Sequence, residues 1–296
     1  MTEQGFTIRK PFQANENLSL QGEDARKGEE LIPAGAFIQP GTVALLATFG
    51  YDQVRVARRP VVGILATGTE LLEVGDELVP GKIRNSNGPM IAAQLARMGI
   101  ESRSYGMLAD DEEACYNTVD KAMKETDCLI TTGGVSVGDF DYLPAIYERL
   151  GARVLFNKVM MRPGSVTTAA VAQGRLLFGL SGNPSACFTG FELFVRPALL
   201  KMMGSLKPYL PYAKAVLTED VRQANPFMRF IRAVYKVTPQ GAAVTPAGFN
   251  KSNAVSSIAR GNALIVLPGG TAGYAAGQEV DVLMLGVEEG AAEWAL

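Results

Sequence analysis

Hydrophobic and polar positions alternate in blocks through the middle of this chain. Val61-Val-Gly-Ile-Leu-Ala66 is an unbroken apolar run of strand length. From Gly88 to Gly99 the apolar residues recur at helical spacing, with Pro89 near the start and Gly99 at the end. Residues 101–108 read as a strand, and Asp110-Asp-Glu-Glu113 caps a helix that runs to about Glu125. Residues 127–131 form the next strand, followed by a Gly/Ser loop and an amphipathic helix at 142–150. Further strands fall at 153–156, 166–172 and 175–180, and a long helix runs from Asn183 to about Met203. The alternation predicts an α/β fold over residues 59–205, with a mainly parallel sheet and helices on both faces.

The flanks follow other patterns. Residues 206–296 carry short strands at 213–218, 230–237, 242–245, 263–267 and 279–285, split by Gly, Pro and Asn turns, which predicts a small C-terminal β-barrel or sandwich, of which the barrel is expected. Residues 1–58 are polar and turn-rich, with strand and turn material at 31–41 and one short helix at 42–50 that glycine ends. They hold too little apolar surface for a core of their own and are expected to pack on something else, either a partner chain or a missing part, as the remnant of an upstream β-rich or linker region would.

Composition narrows the function. The 296 residues are 47% hydrophobic and 20% charged, enough for two or three globular domains. A net charge of -2 with no basic stripe speaks against nucleic acid as a partner. No apolar run approaches the roughly 18 residues of a membrane span, and the first residues lack a signal-peptide pattern. Cys115, Cys128 and Cys187 are far apart in apolar or helical contexts, so buried reduced thiols and a cytoplasmic setting are expected. Histidine is absent, which removes Ser-His-Asp triads, Cys-His dyads and His-bound zinc. Chemistry must then rest on carboxylates, Lys, Arg, hydroxyls, backbone dipoles and a hard, oxygen-bound metal.

Ligands of such sheets bind beyond the carboxyl ends of the strands, where four loops fall. Thr67 and Thr69 in the first can donate to an anion, and Glu70 can ligate a metal; the same residues could simply cap a helix. The second loop brings Asp110, which alone is only a helix cap. The third, Thr131-Thr-Gly-Gly-Val-Ser-Val-Gly-Asp-Phe-Asp-Tyr142, is a phosphate nest at a helix N-terminus. Its acids Asp139 and Asp141 fit either a cation bridging them to the anion or a cap. The fourth, Ser181-Gly-Asn-Pro-Ser185, turns a strand into a helix and is expected to be a second backbone anion site. Lys158 and Arg162 supply cations, and Pro163 keeps Arg162 extended for bidentate contact with an oxyanion. Together these suit a phosphorylated or pyrophosphate ligand with Mg²⁺ held by Glu70, Asp110 and Asp141. No Walker lysine and no GxGxxG is present.

In combination these motifs resemble the molybdopterin molybdenumtransferase family (MoeA and the gephyrin E domain). The resemblance lies in Thr132-Gly-Gly-Val-Ser-Val-Gly138 with Asp141-Tyr142, Ala66-Thr-Gly-Thr-Glu70, Arg162-Pro-Gly164 and Gly182-Asn-Pro184. It extends to Gln21-Gly-Glu-Asp24, Ile32-Pro-Ala-Gly35, Ser252-Asn-Ala-Val-Ser-Ser257 and Gly261-Asn262, and so covers nearly the whole chain. It implies insertion of molybdate into the dithiolene of adenylyl-molybdopterin, release of AMP and a need for Mg²⁺. It assigns Glu70, Asp110 and Asp141 to the metal and pyrophosphate, and leaves Asp139 as a cap or surface residue. Gly133, Gly134, Ser136 and Gly138 would cradle phosphates, with Thr67, Thr69, Ser181, Gly182 and Asn183 on the same rim. Lys158 and Arg162 would bind phosphate or molybdate, and Arg232 and Ser252 would line an oxyanion pocket. On their own, those last two read as structural. Asp24 would reach a cleft shared with the second subunit of a homodimer, and a molybdopterin adenylyltransferase is an expected partner. The family pattern carries a further N-terminal portion upstream of this chain. Ser181 stands for a common proline and Ser165 for a common lysine, the latter at the loss of one charge. A non-catalytic molybdopterin-binding module or a scaffold is the alternative.

Overall fold

The computed structural model describes residues 8–11, 13–108, 111–133, 143–222 and 225–286. They fall into two units, one up to Val54 and one from Arg55 onward. In the first, helix α1 (Pro40–Thr48) starts where Pro40 fits the first turn and where Gln39 N–H donates to Thr42 Oγ1. It ends at Phe49, and Gly50 takes the left-handed φ of 78° that follows. No described residue up to Val54 is buried. Of the strand and turn material expected at 31–41, the turn is present, with Ala36 N–H donating to Pro33 C=O, and the strand is not; α1 starts at Pro40. No sheet partner is present among the described residues to complete a ladder there.

The second unit contains, in chain order, β1 (Val61–Thr67), the short β2 (Leu71–Leu72) and β3 (Ile83–Arg84), and α2 (Asn87–Arg97). Next come β4 (Glu101–Leu108), α3 (Glu112–Glu125), β5 (Cys128–Thr132), α4 (Leu143–Arg149), β6 (Arg153–Phe156) and β7 (Met161–Arg162). β8 (Thr168–Ala172) and β9 (Arg175–Leu180) lead into a continuous helix, made of α5 (Pro184–Gly190), a π-helical segment (Phe191–Val195) and α6 (Arg196–Met202). β10 (Tyr212–Leu217), β11 (Met228–Thr238), β12 (Gly241–Pro246), α7 (Ser256–Arg260), β13 (Ala263–Leu267) and β14 (Glu279–Met284) complete it.

The first sheet has the order β4-β1-β5-β9-β8-β6. β4, β1, β5 and β9 are mutually parallel, while β8 and β6 close one edge antiparallel. Side chains alternate between its faces. Val62, Ile64, Ile130, Phe178 and Leu180 pack on α2 and on the long helix through Ile91, Leu95, Phe191 and Leu199. Leu65, Leu129 and Leu177 pack on α3 and α4 through Val119, Met123 and Ile146. Each such fully buried aliphatic side chain contributes about 2 kcal/mol of transfer free energy. Both faces are covered, which is why the strands read as continuous apolar runs.

The second sheet closes into a five-stranded barrel, in the order β12-β10-β14-β13-β11 and back to β12. Ile231, Ala233, Val244, Ile265 and Val282 fill it. β7 adds to its edge, pairing Met161 with Met228 and Arg162 with Arg229. Met161, Phe188, Phe230, Leu264 and Leu285 then pack the barrel against the α/β layer. The two-residue strands β2, β3 and β7 and the one-turn α7 carry too short a pattern to be read from sequence. All three cysteines are buried, and burial pushes the thiols of Cys128 and Cys187 up. No helix among the described residues is long and apolar enough to cross a membrane.

Candidate active site

Because β4, β1, β5 and β9 run parallel and adjacent, the loops that follow them leave the sheet at one edge. Three of these loops touch. Thr67 Oγ1 donates to the Thr132 carbonyl at 3.3 Å, and Gly133 N–H donates to the Leu180 carbonyl at 3.1 Å. Gly133 takes φ 81°, and a methyl group on it would lie 2.3 Å from the Thr67 carbonyl. Only glycine lets β5 turn this closely past β1. A methyl on Gly182 would in turn meet Gly133 Cα at 3.6 Å, so the turn after β9 rests on the Gly-rich loop.

Glu70 is exposed on this rim. Its carboxylate folds back over the Gly68 backbone, and Gly68 N–H donates to the Leu108 carbonyl at the end of β4. The excursion from β2 to β3 braces it: Ile83 N–H donates to the Glu70 carbonyl at 2.8 Å, and Lys82 Nζ donates to the Thr69 carbonyl. Sequence reasoning missed Lys82, which no motif marks. Asp110, Gly134, Ser136, Gly138, Asp139 and Asp141 lie outside the described residues. The cap of α3 is Asp111, whose Oδ1 accepts from Ala114 N–H at 2.7 Å. Among the described residues no three acidic or thiol side chains converge as metal ligands. Asp24 is exposed in the first unit.

The Ser181–Ser185 turn differs from expectation. Asn183 N–H donates to Ser181 Oγ at 3.2 Å, Pro184 has no N–H, and Ser185 N–H donates to the Ser252 carbonyl at 2.9 Å. Ser185 Oγ adds a 2.6 Å bond to the Ala254 carbonyl. Two of the turn's amides, those of Asn183 and Ser185, are thus engaged, and the turn also serves as a joint to the barrel. Asn87, at the start of α2, holds the same turn by donating from Nδ2 to the Gly182 carbonyl at 2.8 Å. α2 is fixed against the long helix by the buried Glu192, which accepts from Gln94 Nε2 at 2.8 Å and Arg97 Nη2 at 2.6 Å.

The cations come from the β7 and β11 region. Lys158 and Arg162 are exposed, and the Arg162 guanidinium lies 5.6 Å from the Phe227 ring. Ser165 is half-buried, and its carbonyl accepts from Val159 N–H at 2.9 Å. Arg162 pairs in register with Arg229, a residue that sequence reasoning missed because the β7–β11 contact has no local signal. Arg232, three residues further along β11, is 1% exposed. Its Nε donates to Ser257 Oγ and its Nη2 to the Lys251 carbonyl, both at 3.2 Å. Burial, and then the charge of Arg229, push the Arg232 guanidinium down to about 10, so it remains cationic at neutral pH. Burial, and then Arg162, likewise lower Arg229. No carboxylate among the described residues balances Arg232. Ser252 is exposed on the loop whose backbone ties Arg232 to Ser185. Arrayed this way, the rim and the barrel loop can take an anion of high charge.

Residues 63–201 match the family described as a probable molybdopterin binding domain, and residues 214–285 match the MoeA C-terminal region (domain IV). A molybdopterin molybdenumtransferase from Staphylococcus aureus is 55% identical over 291 residues, 98% of this chain and 69% of the relative. One from Staphylococcus epidermidis is 57% identical over 283 residues, 96% of this chain and 68% of the relative. Among solved structures, the molybdopterin biosynthesis MoeA protein of Pyrococcus horikoshii superposes with TM-score 0.73 at 31% identity, over 89% of this chain and 63% of that one. A molybdenum cofactor biosynthesis protein of Pyrococcus furiosus gives TM-score 0.70 at 28% identity, over 91% of this chain and 84% of that one. The chain thus spans about two thirds of the length of the curated relatives it matches. With that identity and that fold, the chain belongs to the molybdopterin molybdenumtransferase family of enzymes.

Proposed function

We propose that the protein performs the metal-insertion step of molybdenum cofactor biosynthesis, placing molybdate in the dithiolene of adenylyl-molybdopterin with release of AMP. One observation carries this reading. The Ser181–Ser185 turn of the α/β rim and the Lys251–Ala254 loop of the barrel are hydrogen-bonded into one unit with the buried Arg232, which no carboxylate among the described residues balances. This supports a reading in which the rim takes the phosphates and the barrel loop the oxyanion, as a reaction between an adenylate and an oxyanion requires.

On this reading the Thr67, Thr69 and Gly133 rim, with Gly134, Ser136 and Gly138, orients the adenylate linkage. Ser181 and Asn183 offer it their hydroxyl and carboxamide donors, and Gly182 lets the turn rest close on the Gly-rich loop. Lys158, Arg162, Arg232 and Ser252 collect the molybdate dianion and hold it against its own repulsion from the phosphates. Ser165 shapes the Arg162 turn. The metal donors Glu70, Asp110 and Asp141 are all hard carboxylates in a chain without histidine, a set that fits Mg²⁺. When bound, that ion would neutralise charge on the phosphate oxygens. A homodimer with Asp24 in a shared cleft, and hand-over from a molybdopterin adenylyltransferase, belong to the same proposal and rest on family membership alone.

The test is molybdate-dependent AMP release from adenylyl-molybdopterin in the presence of Mg²⁺. Wild type should release AMP, and Glu70→Ala should be slower by about a hundredfold, the order expected for losing a metal-positioning ligand. Equal rates in the two proteins would remove Glu70 from the site, and binding without any AMP release would make the protein a molybdopterin-binding module.

A further inference from the structure

Among the described residues Arg232 is held by two acceptors, and neither is charged. Ser257 Oγ takes Nε, and the Lys251 carbonyl takes Nη2. A guanidinium is planar with its donors in a rigid fork, so fixing Nε and one Nη fixes the direction of the remaining N–H groups. A carboxylate in place of Ser257 would hold the plane equally well, but would also cancel the charge. A hydroxyl orients the guanidinium and leaves the full positive field for a ligand.

Ser257 is itself 0% exposed, on the one-turn α7. α7 lies close against β11: a methyl on Gly261 would sit 3.1 Å from the Ser257 carbonyl and 3.3 Å from the Ala233 carbonyl. Ile258, next to Ser257, packs into the interface between barrel and α/β layer. The hydroxyl therefore cannot follow a guanidinium that swings away.

We infer that Ser257 is a positioning residue for the oxyanion pocket, aiming the Arg232 guanidinium at molybdate without neutralising it. This rests on the reading above that Arg232 binds the oxyanion. The experiment titrates molybdate alone into the full chain by isothermal calorimetry, for wild type, Ser257→Ala, Ser257→Cys, Arg232→Ala and the Ser257→Ala/Arg232→Ala pair. Cys keeps the volume and is only a weak acceptor, so it carries the test if the Ala variant does not fold. Ser257→Ala and Ser257→Cys should each raise the molybdate Kd about tenfold, as expected for one hydrogen bond to a charged group. In the Arg232→Ala background the Ser257 change should add less than about twofold, because its effect runs through the arginine. Wild-type affinity in both Ser257 variants, or a Ser257 effect undiminished without Arg232, would overturn the inference while leaving the pocket intact. Wild-type affinity in Arg232→Ala would instead overturn the pocket, and the role of Ser257 with it.

Discussion

Gly133 shows what single positions do in this site. At φ 81°, with the Thr67 carbonyl 2.3 Å from where a methyl group would stand, it is the point at which two rim loops meet. Gly133→Ala should cost at least about 2 kcal/mol of stability from backbone strain and steric conflict. By spreading the rim it should also slow AMP release by about a hundredfold; calorimetric melting beside a turnover assay would check both. The need for glycine there is legible in the Thr-Thr-Gly-Gly run that ends a strand. Arg232 is different. A lone arginine in a strand reads as structural, and what marks it is burial without a carboxylate, which depends on chain segments 19 and 25 residues away. Arg229 and Lys82 were equally hidden, since each acquires its place only through pairing between short, distant strands.

Among the elements, the parallel strands are the most legible because both their faces are covered and each is a continuous apolar run. Leu129, wholly buried between β5 and the α3–α4 layer, should cost about 3 kcal/mol when cut to alanine, read as a lower urea midpoint with an unchanged slope. At the opposite end of the sheet from the site, Asp127 accepts from both terminal nitrogens of Arg58 and from Val61 N–H, with Arg175 also in contact. The Arg58 hydrogen bonds lead in holding its carboxyl down at about 2, below an ordinary value of 3.8. A carboxyl lowered on folding stabilises the native state above its unfolded pKa, and that contribution is lost as pH falls through the folded value. Wild type should therefore lose stability between about pH 4 and pH 2 more steeply than Asp127→Asn. Parallel pH-dependent slopes in urea titrations would show that this latch does not act. Of the strand and turn material expected at 31–41 only the turn forms, because an extended segment needs a ladder partner, and none exists there among the described residues.

Within the unit from Arg55 onward, the α/β layer and the barrel share a core. Met161, Phe188, Phe230, Leu264 and Leu285 form one buried cluster from both, and β7 carries the chain from one sheet into the other. Slow-exchanging amides of β5 and of β13 should therefore report the same opening free energy under native conditions, as one cooperative unit does. Two distinct values would mean that the barrel opens by itself. The sequence pattern separates the two regions by their periodicity, but the joint between them is tertiary: Ser185 to Ser252 and Ala254, and β7 to β11. That joint ties the rim loops to the barrel loop that holds Arg232, and the proposed reaction needs both. The most direct measurement is AMP release from adenylyl-molybdopterin as molybdate is titrated, in wild type and Arg232→Ala. Release in wild type should rise with molybdate and saturate, and the arginine variant should need at least about tenfold more molybdate. Release that ignores molybdate, or is unchanged without Arg232, would contradict it.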